Sequence, residues 1–175
     1  MEIRSSEAFL PYYENIRART ERVIECVPPD QLEWRPRADA FSFGDLIRHL
    51  GAIERYMFAE NVQRRPSRYP GHGPELASGW EGVLAFSRRM HAESVGIFGG
   101  PSSEDLQHRC TTPAGSTLPV WKWLRAMVEH EVHHRGQLYL MLRMLGVTTP
   151  PLYGLTSEEV EDRSERGDGS GGACR

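Results

Sequence analysis

The chain has 175 residues, of which 39% are hydrophobic and 26% charged, with a net charge of −3 at pH 7, a balance typical of one soluble globular domain. No segment concentrates Lys and Arg, and no apolar run approaches the roughly 20 residues of a membrane-spanning helix, so neither nucleic acid nor a membrane is an expected partner. Three widely spaced cysteines and an N-terminus without a signal-peptide core indicate a cytoplasmic protein with free thiols.

Hydrophobic residues recur at helical spacing in the first half of the chain. The first helix is predicted over residues 6–27, and the Pro-Pro pair that follows ends it because proline cannot continue a helix. The second helix is predicted to begin at Ser42, whose side chain can cap it while Asp45 occupies the capping-box position. Its apolar stripe ends before Pro66.

Two more helices are predicted in the second half. The third is expected to begin at Ser78, where Glu81 again holds the capping-box position. The fourth has the clearest limits, because Thr117 is a suitable N-cap, Pro119 falls in the first turn, and Gly146 follows the last periodic residue. A helix between these limits would be about 40 Å long.

Two long connections argue against a simple up-down-up-down arrangement of these helices. Residues 60–77 are rich in Pro, Gly and Arg and are predicted to form a crossover or surface loop, whereas residues 100–117 are predicted to form one helical turn and a small hairpin. The predicted fold is an all-α four-helix bundle spanning residues 1–160, with a disordered tail at 161–175. The segment before the tail is expected to pack on the bundle through Leu152, Tyr153 and Leu155.

Histidines on two of the predicted helices suggest a metal site. His130 and His134 are one helical turn apart, so they project from one face with Cβ atoms about 6 Å apart, and one helix can supply both to a single ion. His49 lies between the apolar positions Leu46 and Ile53 and is expected on the buried edge of the second helix. Three such ligands would leave one position open, as in catalytic rather than structural zinc sites.

Each histidine also has a purely structural interpretation. A lone buried histidine such as His49 is more often a hydrogen-bonded core residue than a ligand. Two imidazoles on one apolar face would need two sets of partners, because an unpaired buried polar group costs about 1–3 kcal/mol. His133 is expected on a helix–helix flank, although it could replace a ligand or donate a hydrogen bond to one. Surface positions are expected for the other histidines, His72, His91 and His108.

The run from His130 to His134 also satisfies the zinc-protease motif H-E-x-x-H, in which Glu131 would be the general base. The surroundings disfavour this hypothesis. No histidine follows His134, and a third ligand would have to be Glu158 or Glu159, beyond the last helix. No alternating strand precedes the motif to line a peptide groove. A di-iron site is also disfavoured, because it needs paired Glu-x-x-His motifs on two helices.

Three segments resemble the DinB-like superfamily of metalloproteins. The run EHEVHHRGQL at 129–138 resembles the family's last long helix, and FSFGDLIRHLGAIERYMF at 41–58 resembles its second helix. The run PPLYGLTSEEV at 150–160 resembles its closing segment. The resemblance extends in order through residues 5–160, and it implies a four-helix bundle with a long crossover.

The resemblance further implies that one divalent ion, zinc or nickel, is bound by His49, His130 and His134, and that the protein is a homodimer. Relatives couple small thiols such as bacillithiol or mycothiol to electrophiles. A metal-dependent thiol S-transferase in detoxification or stress response is therefore implied. An ion with three neutral ligands keeps its positive charge, so a bound thiol would lose its proton at neutral pH.

Two hypotheses about the neighbouring residues and one about activity stay open at this point. Arg135 could hold a substrate carboxylate, but a solvated flank or a structural ion pair explains it equally well. Asp45 could orient a ligand ring, although helix capping already accounts for it. The main alternative to an enzyme is a non-catalytic, stress-induced dimer that binds the metal for structural reasons.

Overall fold

Helices account for most of residues 2–165, the part of the chain that the computed structural model describes. In chain order the elements are α1 (Ser6–Ile24), a 3-10 turn (Pro29–Gln31), α2 (Phe43–Ile53), a π-helical turn (Glu54–Phe58), α3 (Ala59–Val62), α4 (Trp80–Phe98), α5 (Ser103–Gln107), β1 (Arg109–Thr111), β2 (Thr117–Pro119), α6 (Val120–Met144) and α7 (Ser157–Glu165). The long helices form a four-helix bundle in which α1 and α2 each pack against α4 and α6. The predicted fold class is therefore confirmed.

Two helix ends follow directly from local sequence. The Ser42 hydroxyl accepts from the backbone N–H of Asp45 at 3.0 Å, and the Asp45 carboxylate accepts from the N–H of Ser42 at 3.0 Å, which is the predicted capping box. At the end of α6, Gly146 has φ +73°, a left-handed conformation that glycine adopts without a Cβ clash. Both predicted boundaries are confirmed, and α2 and α6 are the helices that carry the three candidate ligands.

Two predicted helix starts are wrong. Helix α4 begins after Gly79, which has φ +68° and provides no side-chain cap, so Ser78 is not the N-cap. Thr117 does not cap α6, because it pairs with Thr111 in an antiparallel hairpin and the helix begins only at Val120. In the second case hydrogen bonding between strands outweighed the local capping preference. The short helix α5 and this hairpin confirm the structure predicted for residues 100–117.

Arg48 of α2 holds the long crossover against the bundle. Its guanidinium is fully buried and donates to the backbone carbonyls of His72 at 2.8 Å and Ala77 at 3.1 Å. The same group pairs with Glu33 at 2.8 Å and Asp45 at 3.0 Å. Hydrogen bonds from Arg48 hold the pKa of Glu33 below its usual range. Because Arg48 precedes His49 directly, this anchor fixes the loop beside a candidate ligand.

The π-helical turn gives the crossover a second anchor. The carbonyl of Tyr56 in this turn accepts a hydrogen bond of 2.8 Å from the backbone N–H of Arg68. Turns of this kind are uncommon and occur frequently at functional sites. Here the bond holds the residue that precedes Tyr69, whose side chain reaches the histidines.

The C-terminal segment departs from its predicted structure. Leu152 packs against the apolar core as expected, but the side chain of Tyr153 is 76% exposed, with the Arg19 guanidinium 5.2 Å from its ring centroid. The N–H of Thr156 donates to the Glu159 carboxylate at 2.7 Å, and the N–H of Glu159 donates to the Thr156 hydroxyl at 3.1 Å. This capping box begins helix α7, which includes residues 161–165 of the predicted tail. The rest of that tail lies outside the described residues.

Buried apolar side chains from all four long helices form the core of the bundle. Fully buried examples include Tyr13, Phe43, Met90, Phe98, Leu124 and Leu138. Within residues 2–165, every helix is too short or too polar to cross a lipid bilayer.

A group of charged and polar side chains is buried within this apolar interior. We call it the buried polar network, and it comprises Tyr13 and Arg17 of α1, Glu54 of the π-helical turn, His91 of α4 and Glu131 of α6. The Tyr13 hydroxyl donates to Glu131 at 3.2 Å, and His91 Nδ1 lies 2.9 Å from Glu54. Burial and the negative charge of Glu131 raise the pKa of Tyr13 well above its usual value. The prediction that His91 lies on the surface is wrong.

We expect substitution of His91 with glutamine to destabilise the protein more at acidic than at alkaline pH. Burial by itself lowers the pKa of His91, and Arg17 opposes protonation, but Glu54 and Glu14 outweigh both and raise the pKa above its ordinary value of 6.5. The stabilisation by the charged ring is thus complete below 6.5 and disappears as pH rises through the folded-state pKa. Urea unfolding of the metal-free protein should show a loss of roughly 1.5–3 kcal/mol near pH 5.5.

The same measurement at alkaline pH, above the folded-state pKa of His91, should give a clearly smaller loss, since the ring is then neutral in both the folded and the unfolded state. His133, an exposed residue of α6, provides a matched control, and its substitution with glutamine should change stability by less than about 0.5 kcal/mol at either pH. If His91→Gln lowers the free energy of unfolding by the same amount at both pH values, the assignment of a charged ring is wrong.

Candidate metal centre

Three histidine rings meet where α2 lies against α6. His130 and His134 stand one turn apart on α6, and His49 faces them from α2. The Nε2 atom of His130 lies 3.1 Å from Nε2 of His49 and 3.1 Å from Nε2 of His134. One nitrogen from each ring lies within 4.8 Å of the other two. The structure therefore brings together the three residues that the sequence selected.

Two of the rings have hydrogen-bonding partners outside the cluster. These partners determine which ring nitrogen carries the proton and which is free to bind a metal. His49 Nδ1 lies 2.7 Å from the Tyr69 hydroxyl, and His134 Nδ1 lies 2.7 Å from Oε1 of Gln137. An amide oxygen only accepts, so His134 carries its proton on Nδ1 and presents the Nε2 lone pair inward. A proton on His49 Nδ1, donated to Tyr69, gives the same arrangement. Metal-binding histidines are usually oriented by such contacts.

The electrostatics of the cluster favour neutral imidazoles. Burial lowers the pKa of His49 to about 3, with further lowering by His134 and His130. Burial, and then His134 and His133, lower the pKa of His130 to about 4. Burial also lowers the pKa of His134. At neutral pH these rings are uncharged, which is the state in which imidazole binds a metal.

This donor set fits a single divalent cation. A divalent cation between the rings would take one nitrogen lone pair from each of them. A tetrahedral zinc ion with bonds of about 2.0–2.1 Å requires ligand nitrogens roughly 3.3 Å apart. The observed 3.1 Å separations are close to this value. Three nitrogen ligands occupy three tetrahedral positions and leave the fourth for an exogenous group.

A family model described as the DinB superfamily matches residues 12–138. The chain belongs to the DinB superfamily. The YjoA protein of Bacillus subtilis (strain 168) is 24% identical over 150 residues, a match that covers 85% of this chain and 96% of YjoA. The resemblance inferred from the sequence is therefore confirmed at the level of the family.

Solved structures share the DinB fold. A DinB-like protein from Bacillus cereus superposes with a TM-score of 0.72 at 16% identity, covering 86% of this chain and 99% of the other. YfiT from Bacillus subtilis superposes with a TM-score of 0.65 at 15% identity, covering 82% and 89% respectively. YfiT is described as a probable metal-dependent hydrolase with an unusual four-helix bundle topology. At these identities the similarity establishes the fold of the present DinB protein.

The other residues considered from the sequence lie outside the ligand cluster. The exposed ring of His133 has its centroid 4.9 Å from that of His134, on the outer side of α6. Asp45 caps α2 and pairs with Arg48, and among the described residues its hydrogen bonds do not reach a histidine of the cluster. Arg135 is buried and donates to the carbonyl of Ile16 at 3.2 Å, so a role for it in holding substrate is not supported.

Glu131 of the H-E-x-x-H motif faces the bundle interior. Its side chain is only 3% exposed, accepts from Tyr13 and lies 3.7 Å from Arg17. A general base must reach the reacting proton, and this carboxylate is instead part of the buried polar network. The geometry does not support the zinc-protease hypothesis for this DinB protein.

The crossover supplies site residues that the sequence analysis missed. The Tyr69 hydroxyl lies between His49 Nδ1 and His72 Nδ1, at 2.7 and 2.9 Å. The Phe41 ring lies 4.3 Å from the His72 ring and 5.5 Å from the His49 ring, measured between centroids. His72, for which a surface position was predicted, is half-buried and therefore belongs to the surroundings of the cluster. No sequence periodicity marks these loop residues.

We expect substitution of Tyr69 with phenylalanine to weaken metal binding without unfolding the protein. The change removes the hydroxyl that contacts His49 and His72 but keeps the ring. Loss of a hydrogen-bonding partner of a metal ligand typically lowers metal affinity about 10–100-fold. Competition with a chromophoric chelator measures this change. Tyr12, which is 44% exposed on α1, is a matched control whose phenylalanine variant should bind as tightly as the original protein.

Proposed function

We propose that this DinB protein holds a zinc or nickel ion through His49, His130 and His134 and uses it to transfer a small thiol to an electrophile. The observation that carries the proposal is the convergence of three neutral imidazoles at separations suited to one ion. When bound, such an ion lowers the pKa of a coordinated thiol and so supplies a nucleophile at neutral pH.

The residues around the ligands perform the remaining tasks in this proposal. Tyr69 and Gln137 orient two of the rings, which keeps the inner lone pairs aimed at one point. Arg48 fixes the crossover that carries Tyr69. In the overall reaction the sulfur forms a bond to the electrophilic carbon, the leaving group departs with its electron pair, and the thiol proton passes to solvent.

A thiol suits the site better than a peptide bond because the acidic residue of the helix motif is unavailable. A zinc hydrolase of that motif uses a carboxylate to take a proton from water. Here Glu131 already accepts from Tyr13 within the bundle. A thiol has an ordinary pKa near 8.5, so the charge of a metal ion suffices to ionise it without a separate base.

Hydrolysis is the second candidate, and one observation favours it. YfiT, which shares the fold, is described as a probable metal-dependent hydrolase. The three-histidine arrangement also lowers the pKa of a bound water to about 7 in known zinc enzymes. Both candidates therefore require the same three ligands and differ in the nucleophile that occupies the open position.

The deciding experiment supplies the metal-loaded protein with both kinds of substrate. Conjugation of bacillithiol or mycothiol to monobromobimane is compared with hydrolysis of p-nitrophenyl acetate, each with and without metal. We expect metal-dependent conjugation that the His130→Ala variant lacks and the His133→Ala variant retains. Hydrolysis alone would select the second candidate, and no metal-dependent rate in either assay would favour a non-catalytic metal-binding protein. Sedimentation of the same sample tests the proposed homodimer.

A further inference from the structure

An apolar cavity of about 380 Å³ opens beside the histidine cluster. One wall comes from the segment between α1 and α2 and includes Pro36 and Phe41. The opposite wall comes from the last turns of α6 and includes Leu140 and Met144, which are 63% and 57% exposed. A cavity of this size accommodates a small organic group.

The cavity is continuous with the candidate metal centre. His134 and Gln137 line its inner end, and these two residues contact each other at 2.7 Å. Phe41 lines the cavity and also lies against the rings of His49 and His72. A molecule whose reacting atom lies at the histidines could therefore extend directly into this space.

The chemistry of the walls defines what the cavity can accept. All of the described residues that line it are uncharged, and the polar ones, His134 and Gln137, lie at the end next to the cluster. A charged group placed here would lose part of its hydration without gaining an ionic partner from the walls, which is unfavourable. Met141 and Met144 have flexible, polarisable side chains that adapt to groups of different shape.

We propose that this cavity binds an uncharged, apolar group of the substrate while the reacting atom of the same molecule lies at the three histidines. The location of the reacting atom rests on the proposed function, whereas the preference for an apolar group rests on the walls themselves. The favoured substrates carry an alkyl or small aromatic substituent next to the reacting centre.

A series of metal-binding probes with increasing alkyl length tests this proposal. The protein is loaded with Co²⁺, and dissociation constants are measured by visible absorption for n-alkanethiols from ethanethiol to hexanethiol and for the corresponding alkyl hydroxamates. Each added methylene that enters the cavity should tighten binding about fourfold until the cavity is filled. The proposal would be overturned if affinity does not change with chain length in both the thiol series and the hydroxamate series.

Two variants test whether the gain in affinity per methylene arises in this cavity. Leu140→Asn and Met144→Gln change exposed side chains of the cavity wall, and each should reduce the gain per methylene while leaving the shortest probe unaffected. Val132→Asn is the matched control, because Val132 is 38% exposed on the same helix but lies outside the cavity. Equal effects of Leu140→Asn and Val132→Asn would also overturn the proposal.

The paired series separates this proposal from the proposed function. If hydroxamates bind more tightly with length but thiols do not bind at all, the cavity assignment stands and the thiol-transfer hypothesis fails. If both series bind with an affinity independent of length, the cavity assignment fails, whereas the binding of thiols at the metal still supports the proposed function. Sedimentation of the Leu140→Asn variant adds a third test, since dissociation of a dimer would show that a second copy of the chain covers this wall and would contradict a substrate site.

Discussion

Substitution of His130 with alanine is expected to lower the affinity of the protein for Zn²⁺ or Ni²⁺ by at least about 100-fold, because even loss of a hydrogen-bonding partner of a ligand lowers metal affinity by about 10–100-fold. His130 is the central residue of the cluster, with its Nε2 atom 3.1 Å from both of its neighbours. Its removal leaves two nitrogen donors where zinc sites normally use three or four protein ligands.

Metal affinity should be measured by chelator competition, with thermal unfolding as an independent readout. A ligand present at 1,000 times its dissociation constant stabilises the native state by about 4.1 kcal/mol, and the variant should lose most of this increment. Without metal the two proteins should melt at similar temperatures if the ion is not required for folding. His133→Ala is the matched control, because this neighbouring ring is exposed. Undiminished binding by both the His130 and the His49 variants would show that the metal binds elsewhere.

Helical periodicity could predict the part of the site that lies on one helix. His130 and His134 are separated by one turn, so their common face follows from the helix alone and does not depend on the rest of the fold. The capping box at Ser42 likewise fixed the start of α2 from local sequence. The position of His49 opposite the pair requires α2 and α6 to be neighbours, and no local pattern determines which helices pack together.

The residues that surround the ligands could not be predicted because they depend on the path of a loop. Tyr69 and His72 reach His49 only because Arg48 and the carbonyl of Tyr56 hold the crossover in place. These contacts join positions that no repeat relates. The burial of His91 was not predicted for a similar reason. Its partners Glu54 and Glu14 lie on different helices, and they offset the cost of burying the ring only once those helices pack together.

Substitution of Glu131 with alanine should have the largest effect on stability, lowering the free energy of unfolding by about 3–5 kcal/mol, as removal of one partner of a buried ion pair typically does. The variant would leave Arg17 charged and only 2% exposed, with a hydrogen bond to Ser87 at 2.5 Å and an ion pair with the partly exposed Glu21 at 3.6 Å. The Tyr13 hydroxyl would lose its acceptor as well. Urea unfolding measures the loss directly.

A double variant tests whether the loss comes from removing the buried partner of Arg17. Arg17 and Glu131 lie 3.7 Å apart, and Nη1 of the first and Oε1 of the second have no hydrogen-bond partner among the described residues. Their attraction therefore compensates poorly for their lost hydration, and apolar replacement of buried ion pairs is often neutral or stabilising. Arg17→Met combined with Glu131→Leu should accordingly be less destabilised than the sum of the single variants. Additive losses would mean that the two charges do not interact.

Metal binding and activity in a third variant separate a structural role of Glu131 from a catalytic one. The Glu131→Gln variant keeps the shape of the side chain and, at temperatures where it remains folded, should bind metal as the original protein does. Its metal-dependent activity per folded molecule should also persist, because a carboxylate directed into the bundle cannot accept a proton at the histidines. Loss of activity with folding and metal content unchanged would contradict the purely structural role and restore the zinc-protease hypothesis.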